Sequence, residues 1–212
     1  MINLNCVGQS SSVFFLYICR MSQTSFRHLF VAVLVCVSTV SGMSQDWNTA
    51  RLNVLYGSSI PFNFTSIDKI KNGLGIPSGT IFGVSMSDST KVYHGLSGFT
   101  LNCRTFNNAT NIKGESSSLP LYKIRIKAEN NKGLGAGVSN GYIDLSSDWT
   151  PLFLFTNQRS SFPLDWSKHQ LIISYECGKP SGVHPDASLM GEDPDYYNVE
   201  IEFELVPTGT DF

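Results

Sequence analysis

The residues best equipped for chemistry sit close together in DASLMGEDPD, residues 186–195. Asp186, Glu192, Asp193 and Asp195 could supply oxygen ligands from a flexible loop, which is the chemistry of calcium binding. Their spacing departs from D-x-[DN]-x-[DN]-G-x5-E, so a solvated acidic loop is the competing reading. Asp144 and Asp148 in DLSSDW form a second pair of the kind that glycoside hydrolysis employs, although acids recur at such spacings by chance. His94, His169 and His184 follow residue 42, and none belongs to HExxH, HxH or a Cys/His zinc spacing. The glycine-rich KNGLGIPSG and NKGLGAG lack the strand–loop–helix setting of a phosphate cradle and read as turns. Neither a nucleophile elbow nor a phosphate loop is expected. No catalytic, cofactor-binding or metal-binding residue is assigned. The chain is read as a non-enzyme without a cofactor.

Aromatic residues offer binding rather than catalysis. Trp47, Trp149 and Trp166, with Tyr56, Tyr93, Tyr142, Tyr196 and Tyr197, could build a sugar-stacking platform or seal the ends of a β core. NFT at Asn63 and NAT at Asn108 match the glycan-acceptor pattern.

Residues 1–42 read as an upstream extension and a signal peptide. Arg27 and His28 precede the apolar run LFVAVLVCV, with cleavage expected between Gly42 and Met43. That run is too short for a membrane span, and no second hydrophobic segment follows it. The expectation is a secreted or cell-surface protein with residues 43–212 as a single domain. The whole chain has 15 Lys and Arg against 17 Asp and Glu. Arg20 and Arg27 fall in the leader, so 13 − 17 gives the remainder a formal charge of −4. Such a surface argues against nucleic acid or an anionic membrane as partner. Outside the leader, the cysteines are Cys103 and Cys177. Export favours oxidation, so they form either a disulfide or two separate buried thiols.

The elements that must position these groups are strands. In VEIEFELV, Val199, Ile201, Phe203 and Leu205 alternate with Glu200, Glu202 and Glu204, a period of two. In LYKIRIKAE, Ile124, Ile126 and Ala128 alternate with Lys123, Arg125 and Lys127. Side by side, these two strands would form a ladder of unlike charges; they could equally lie on distant faces of one sandwich. ARLNVLY, SIPFNF, GTIFGVSMS, GFTLNCRTF, YIDLS, PLFLFTN and HQLIISYEC supply further strand candidates. Only SIDKIKNG carries a weak helical period. Short strands separated by Gly, Pro, Asn and Ser describe an all-β fold, an Ig-like or jelly-roll-like antiparallel β-sandwich.

The order SIPFNFTS…GTIFGVSMS…LSGFTLNCRTF…LPLYKIRIKAE…HQLIISYEC…DYYNVEIEFELV resembles exported bacterial surface proteins of β-sandwich type. These include pilin-like, spore-coat-U-like and WxL-like proteins and secreted proteins of Bacteroidetes. Phe99-Thr100-Leu101 stands where a WxL domain has its tryptophan. The resemblance implies a structural subunit joined to its neighbours by donated or edge-paired strands, as in a surface filament or layer. Leu52 and Val54 of ARLNVLY would plug a neighbour, or VEIEFELV would donate or receive the strand. The alternative is an extracellular carbohydrate-binding or adhesion domain with a surface glycan as partner.

Overall fold

The computed structural model describes residues 2–6, 49–87, 96–135, 137–156 and 163–209, all within one compact unit. The leader's apolar run, its expected cleavage point, Trp47, Tyr93 and His94 lie outside the described residues.

The protein is all-β, built on two packed five-stranded sheets. In the first, the order is β1 (Ile2–Cys6), β12 (Val199–Gly209), β4 (Leu96–Thr105), β10 (Thr150–Thr156) and β8 (Gly137–Ser139). The second runs β2 (Thr49–Tyr56), β3 (Leu74–Ser87), β11 (Gln170–Cys177), β7 (Ile124–Lys132) and β9 (Ile143–Asp144). A hairpin of β5 (Asn111–Lys113) and β6 (Ser118–Pro120) stands apart. Pairing within both large sheets is antiparallel, except that β1 joins β12 in parallel.

Period-two alternation sends one row of each strand into the space between the sheets. Ile124, Ile126 and Ala128 of β7 are buried, as are Val199, Ile201 and Phe203 of β12. The two sheets meet where the Phe82 ring of β3 stands edge-on to Phe203, centroids 4.9 Å apart. β3 is longer than its turn-rich start, LGIPSG, suggests. Ser78 takes a positive φ of 57° there, and the register with β11 shifts between Ile173 and Tyr175. Gly79 leaves room for the Tyr175 ring, which a Cβ at that position would meet at 2.8 Å. The fully buried Tyr175 hydroxyl is 2.9 Å from Thr80 Oγ1, which donates to Gly57 O. SIDKIKNG does form a helix, α1 (Ile67–Asn72), capped by the Ser66 side chain.

Two expectations are corrected and one open alternative is decided. Cys103 and Cys177 are both buried and both free, so the expected disulfide is absent. Cys103 lies in β4 of one sheet and Cys177 in β11 of the other. Held on different sheets, the two thiols do not come within bonding distance. The unlike-charge ladder between β7 and β12 does not form either, because the two strands belong to different sheets. Finally, Lys123 is not on a solvent face. Residues Leu121–Lys123 form a 3₁₀ turn before β7 begins, and the Lys123 side chain is buried.

Candidate functional site

In the first sheet β12 lies between β4 and β1, and its two edges differ. Its inner edge pairs with β4 from Ile201 opposite Thr105 to Gly209 opposite Leu96. Its outer edge is covered by β1 over five residues, from Ile2 opposite Val199 to Cys6 opposite Phe203. Among the described residues no strand pairs with the outer edge beyond Phe203. Pro207 lies in that stretch, and proline in a sheet is confined to edges and bulges because it lacks an N–H.

The row of glutamates on the outer face of β12 is not uniformly solvated. Glu202 is buried, and Arg104, directly opposite in β4, donates Nε–H to Glu202 Oε2 at 2.8 Å. The guanidinium also lies 4.4 Å from the Trp149 ring centroid and donates to Asn108 Oδ1 at 2.7 Å. A charged pair closed over by an aromatic face is more than rim decoration. Glu204 is exposed.

The acidic loop preceding β12 is organised around Lys123. Its Nζ donates to Asp186 O at 2.9 Å and Ser188 O at 2.7 Å, and pairs with Glu192 Oε1 at 2.7 Å. The ammonium therefore sits where loop oxygens would gather around a bound cation. The four acids themselves do not converge. Asp186 accepts from the Tyr122 hydroxyl, which holds the carboxyl below its usual range. Asp193 is exposed. Asp195 accepts backbone N–H bonds from Glu115, Ser116, Ser117 and Tyr196 and side-chain bonds from Ser116 and Ser117. Chief among these, the Ser116 N–H helps keep the Asp195 carboxyl far below the ordinary carboxylate range. No group of three or more His, Cys, Asp or Glu side chains able to hold a metal occurs among the described residues.

The other candidates separate. Asp144 pairs with Arg125 at 3.7 Å and His184 Nε2 at 3.1 Å, while Asp148 is exposed in a loop. His184 stacks on Tyr122, and His169 Nδ1 closes the 165–169 turn by accepting from Asp165 N–H. Trp149 packs over the outer face of the first sheet, at Arg104, and Trp166 lies against Gly83 on the outer face of the second. They form no joint sugar platform. Asn63 is exposed, and Asn108, also exposed, has its side-chain oxygen engaged by Arg104. Leu52 and Val54 are half-buried in β2, which pairs with β3 of its own sheet. Leu205 is half-buried beyond the reach of β1.

One spacing escaped the sequence reading. Gly137-Val138-Ser139-Asn140-Gly141 does fit GxSxG. An elbow needs a strand, a sharp turn and a following helix. Here Ser139 ends the edge strand β8, its Oγ accepts from Gly141 N–H at 3.2 Å, and the next element is the strand β9. The hydroxyl shapes a turn. No protein-family model matches the chain, and no curated protein matches it significantly. Among the described residues no helix is long and apolar enough to cross a membrane.

Proposed function

We propose that this chain is an exported, non-enzymatic structural subunit that assembles through strand edges into a surface filament or layer, in the manner of pilin-like and spore-coat-U-like proteins. Its two sheets are read as an Ig-like or jelly-roll-like sandwich. The observation that carries the reading is the parallel seat of β1 on the outer edge of β12. That seat is filled by five residues connected to β2 only through residues 7–48. If export removes residues 1–42, β1 leaves with them, and the N–H and C=O groups of Val199–Phe203 lose their outer partners. An open edge of this kind recruits another strand. A neighbour's Thr49–Tyr56 segment supplies it, because β2 is held on one side only in its own sheet.

The test is secretion followed by N-terminal sequencing, light scattering and negative-stain imaging of the product. The reading expects an N-terminus close to Met43 and concentration-dependent polymers. Deleting residues 49–56 should leave folded subunits that do not polymerise. A mature protein that stays monomeric at high concentration, with amides 199–203 protected from exchange, overturns the proposal.

A further inference from the structure

At the end of the sandwich beneath the acidic loop lies a cavity of about 520 Å³, a volume typical of small-molecule sites. Its floor is made by Ile60, Ile112, Ile124 and Val199, all at most 6% exposed. Phe62, Phe64 and Ile70 form one wall, Leu189 and Tyr197 the other. Leu189 N–H donates to Ile70 O at 3.1 Å, which ties the acidic loop to α1 across this space.

Two observations fix the chemistry of an occupant. First, among the described residues no buried side-chain polar atom is left without a partner. The Tyr197 hydroxyl, for instance, is 2.7 Å from Ser117 Oγ and 2.8 Å from Asp193 O. The buried floor, made of Ile60, Ile112, Ile124 and Val199, thus offers no side-chain hydrogen-bonding group to a polar ligand. A sugar would leave its hydroxyls unpaired against Phe62 and Ile112, a desolvation cost without return. The inserted part must be apolar. Second, the lining contains Glu192, Asp193 and Asp195 and no basic residue. Glu192 is neutralised by Lys123, but Asp195 is kept ionised by N–H groups and Asp193 is exposed to solvent. The mouth is therefore negative above an apolar interior.

We infer that this cavity binds a cationic amphiphile, an apolar chain or ring system that enters the cavity and an ammonium group that stays at the carboxylate mouth. Val199 of the floor begins β12, but the site calls for no unpaired strand edge and no second copy, so its test is separate from that of the assembly reading.

Decylamine, 1-decanol and decanoate, each below its micelle or solubility limit, share one chain and differ in the charge at its end. Calorimetric titration of the full-length protein at neutral pH should rank them in that order, with the amine at least about tenfold tighter than the carboxylate. Asp193→Lys, an exposed substitution, should narrow the amine-to-carboxylate ratio while leaving decanol binding in place. Ile70→Trp, which fills the half-buried wall, should abolish all three, with circular dichroism confirming that both variants fold. Equal affinity for the three ligands overturns the cationic assignment. Binding of none of them, or binding untouched by Ile70→Trp, overturns the site itself.

Discussion

Lys123 Nζ and Glu192 Oε1 lie 2.7 Å apart, with the lysine side chain 3% exposed and the glutamate 33%. Two backbone carbonyls complete the shell around the ammonium. Lys123→Met should cost about 2–4 kcal/mol, because it removes charged hydrogen bonds and strands the oxygens that they satisfied. Glu192→Gln keeps the carbonyl contacts and should cost less, about 1 kcal/mol. Urea denaturation measures both, and hydrogen exchange should show residues 186–192 loosening first in the lysine variant. Equal, small effects would mean that the lysine does not organise the loop.

Glu202→Gln is expected to be costly for a residue in an alternating outer row. The carboxylate is buried against Arg104, so the substitution should lose about 1–2 kcal/mol, discounted for the partial exposure of the arginine. A double-mutant cycle with Arg104→Met isolates the pair. A coupling energy near zero would return Glu202 to the role of a solubilising charge.

Phe203→Ala should cost about 3–5 kcal/mol, since the ring links the two sheets through Phe82. Phe203→Asp should prevent folding, as it places a carboxylate without a partner in the core. Thermal unfolding of the first variant and the circular dichroism of the second give the readout.

Asp195 contributes to the response to acid. Its folded-state pKa lies below the usual 3.8, so its contribution to stability is present above that value and disappears as pH falls through the folded pKa. Wild type should exceed Asp195→Asn in stability at neutral pH, and the two should converge at pH values well below 3.8. Urea midpoints collected from pH 7 downward test the sign. A gap that widens on acidification contradicts the clasp on residues 115–117.

Burial pushes the thiols of Cys103 and Cys177 up to about 12, which leaves little thiolate at neutral pH. Both should resist iodoacetamide in the folded protein. After denaturation without reductant, peptide mapping should recover both as alkylated residues. Recovery of a linked peptide pair would restore the disulfide.

The inward rows of β7 and β12 could be read directly, because alternation is a local property of the chain and burial follows it. The same rule placed Lys123 wrongly: one 3₁₀ turn upstream of Ile124 is enough to turn that side chain inward. Strand neighbours were beyond local reading. Glu202 meets Arg104 across 98 residues, and nothing in VEIEFELV distinguishes a glutamate facing water from one facing a guanidinium. The hairpin β5–β6 was not legible, because its buried pair, Ile112 opposite Leu119, sits on two three-residue strands too short to show alternation. The cavity was not legible at all, since Ile60, Ile112, Ile124 and Val199 come from four separate segments. β1 was set aside as leader sequence, and no pattern in INLNC names β12 as its partner.

The seat of β12 between β4 and β1 also fixes an order in time. On the ribosome, β4 emerges roughly a hundred residues before the strand that must lie along it. At roughly 5–20 residues per second, that interval lasts about 5–20 s. Throughout it, one flank of β4 is a bare strand beside unsealed Phe82, and neither sheet can enclose the core. The first strand, although made earliest, has nowhere to dock until the last has been synthesised. The first sheet therefore reaches its full strand order only after residues 199–209 have been made, whatever the second sheet has done by then.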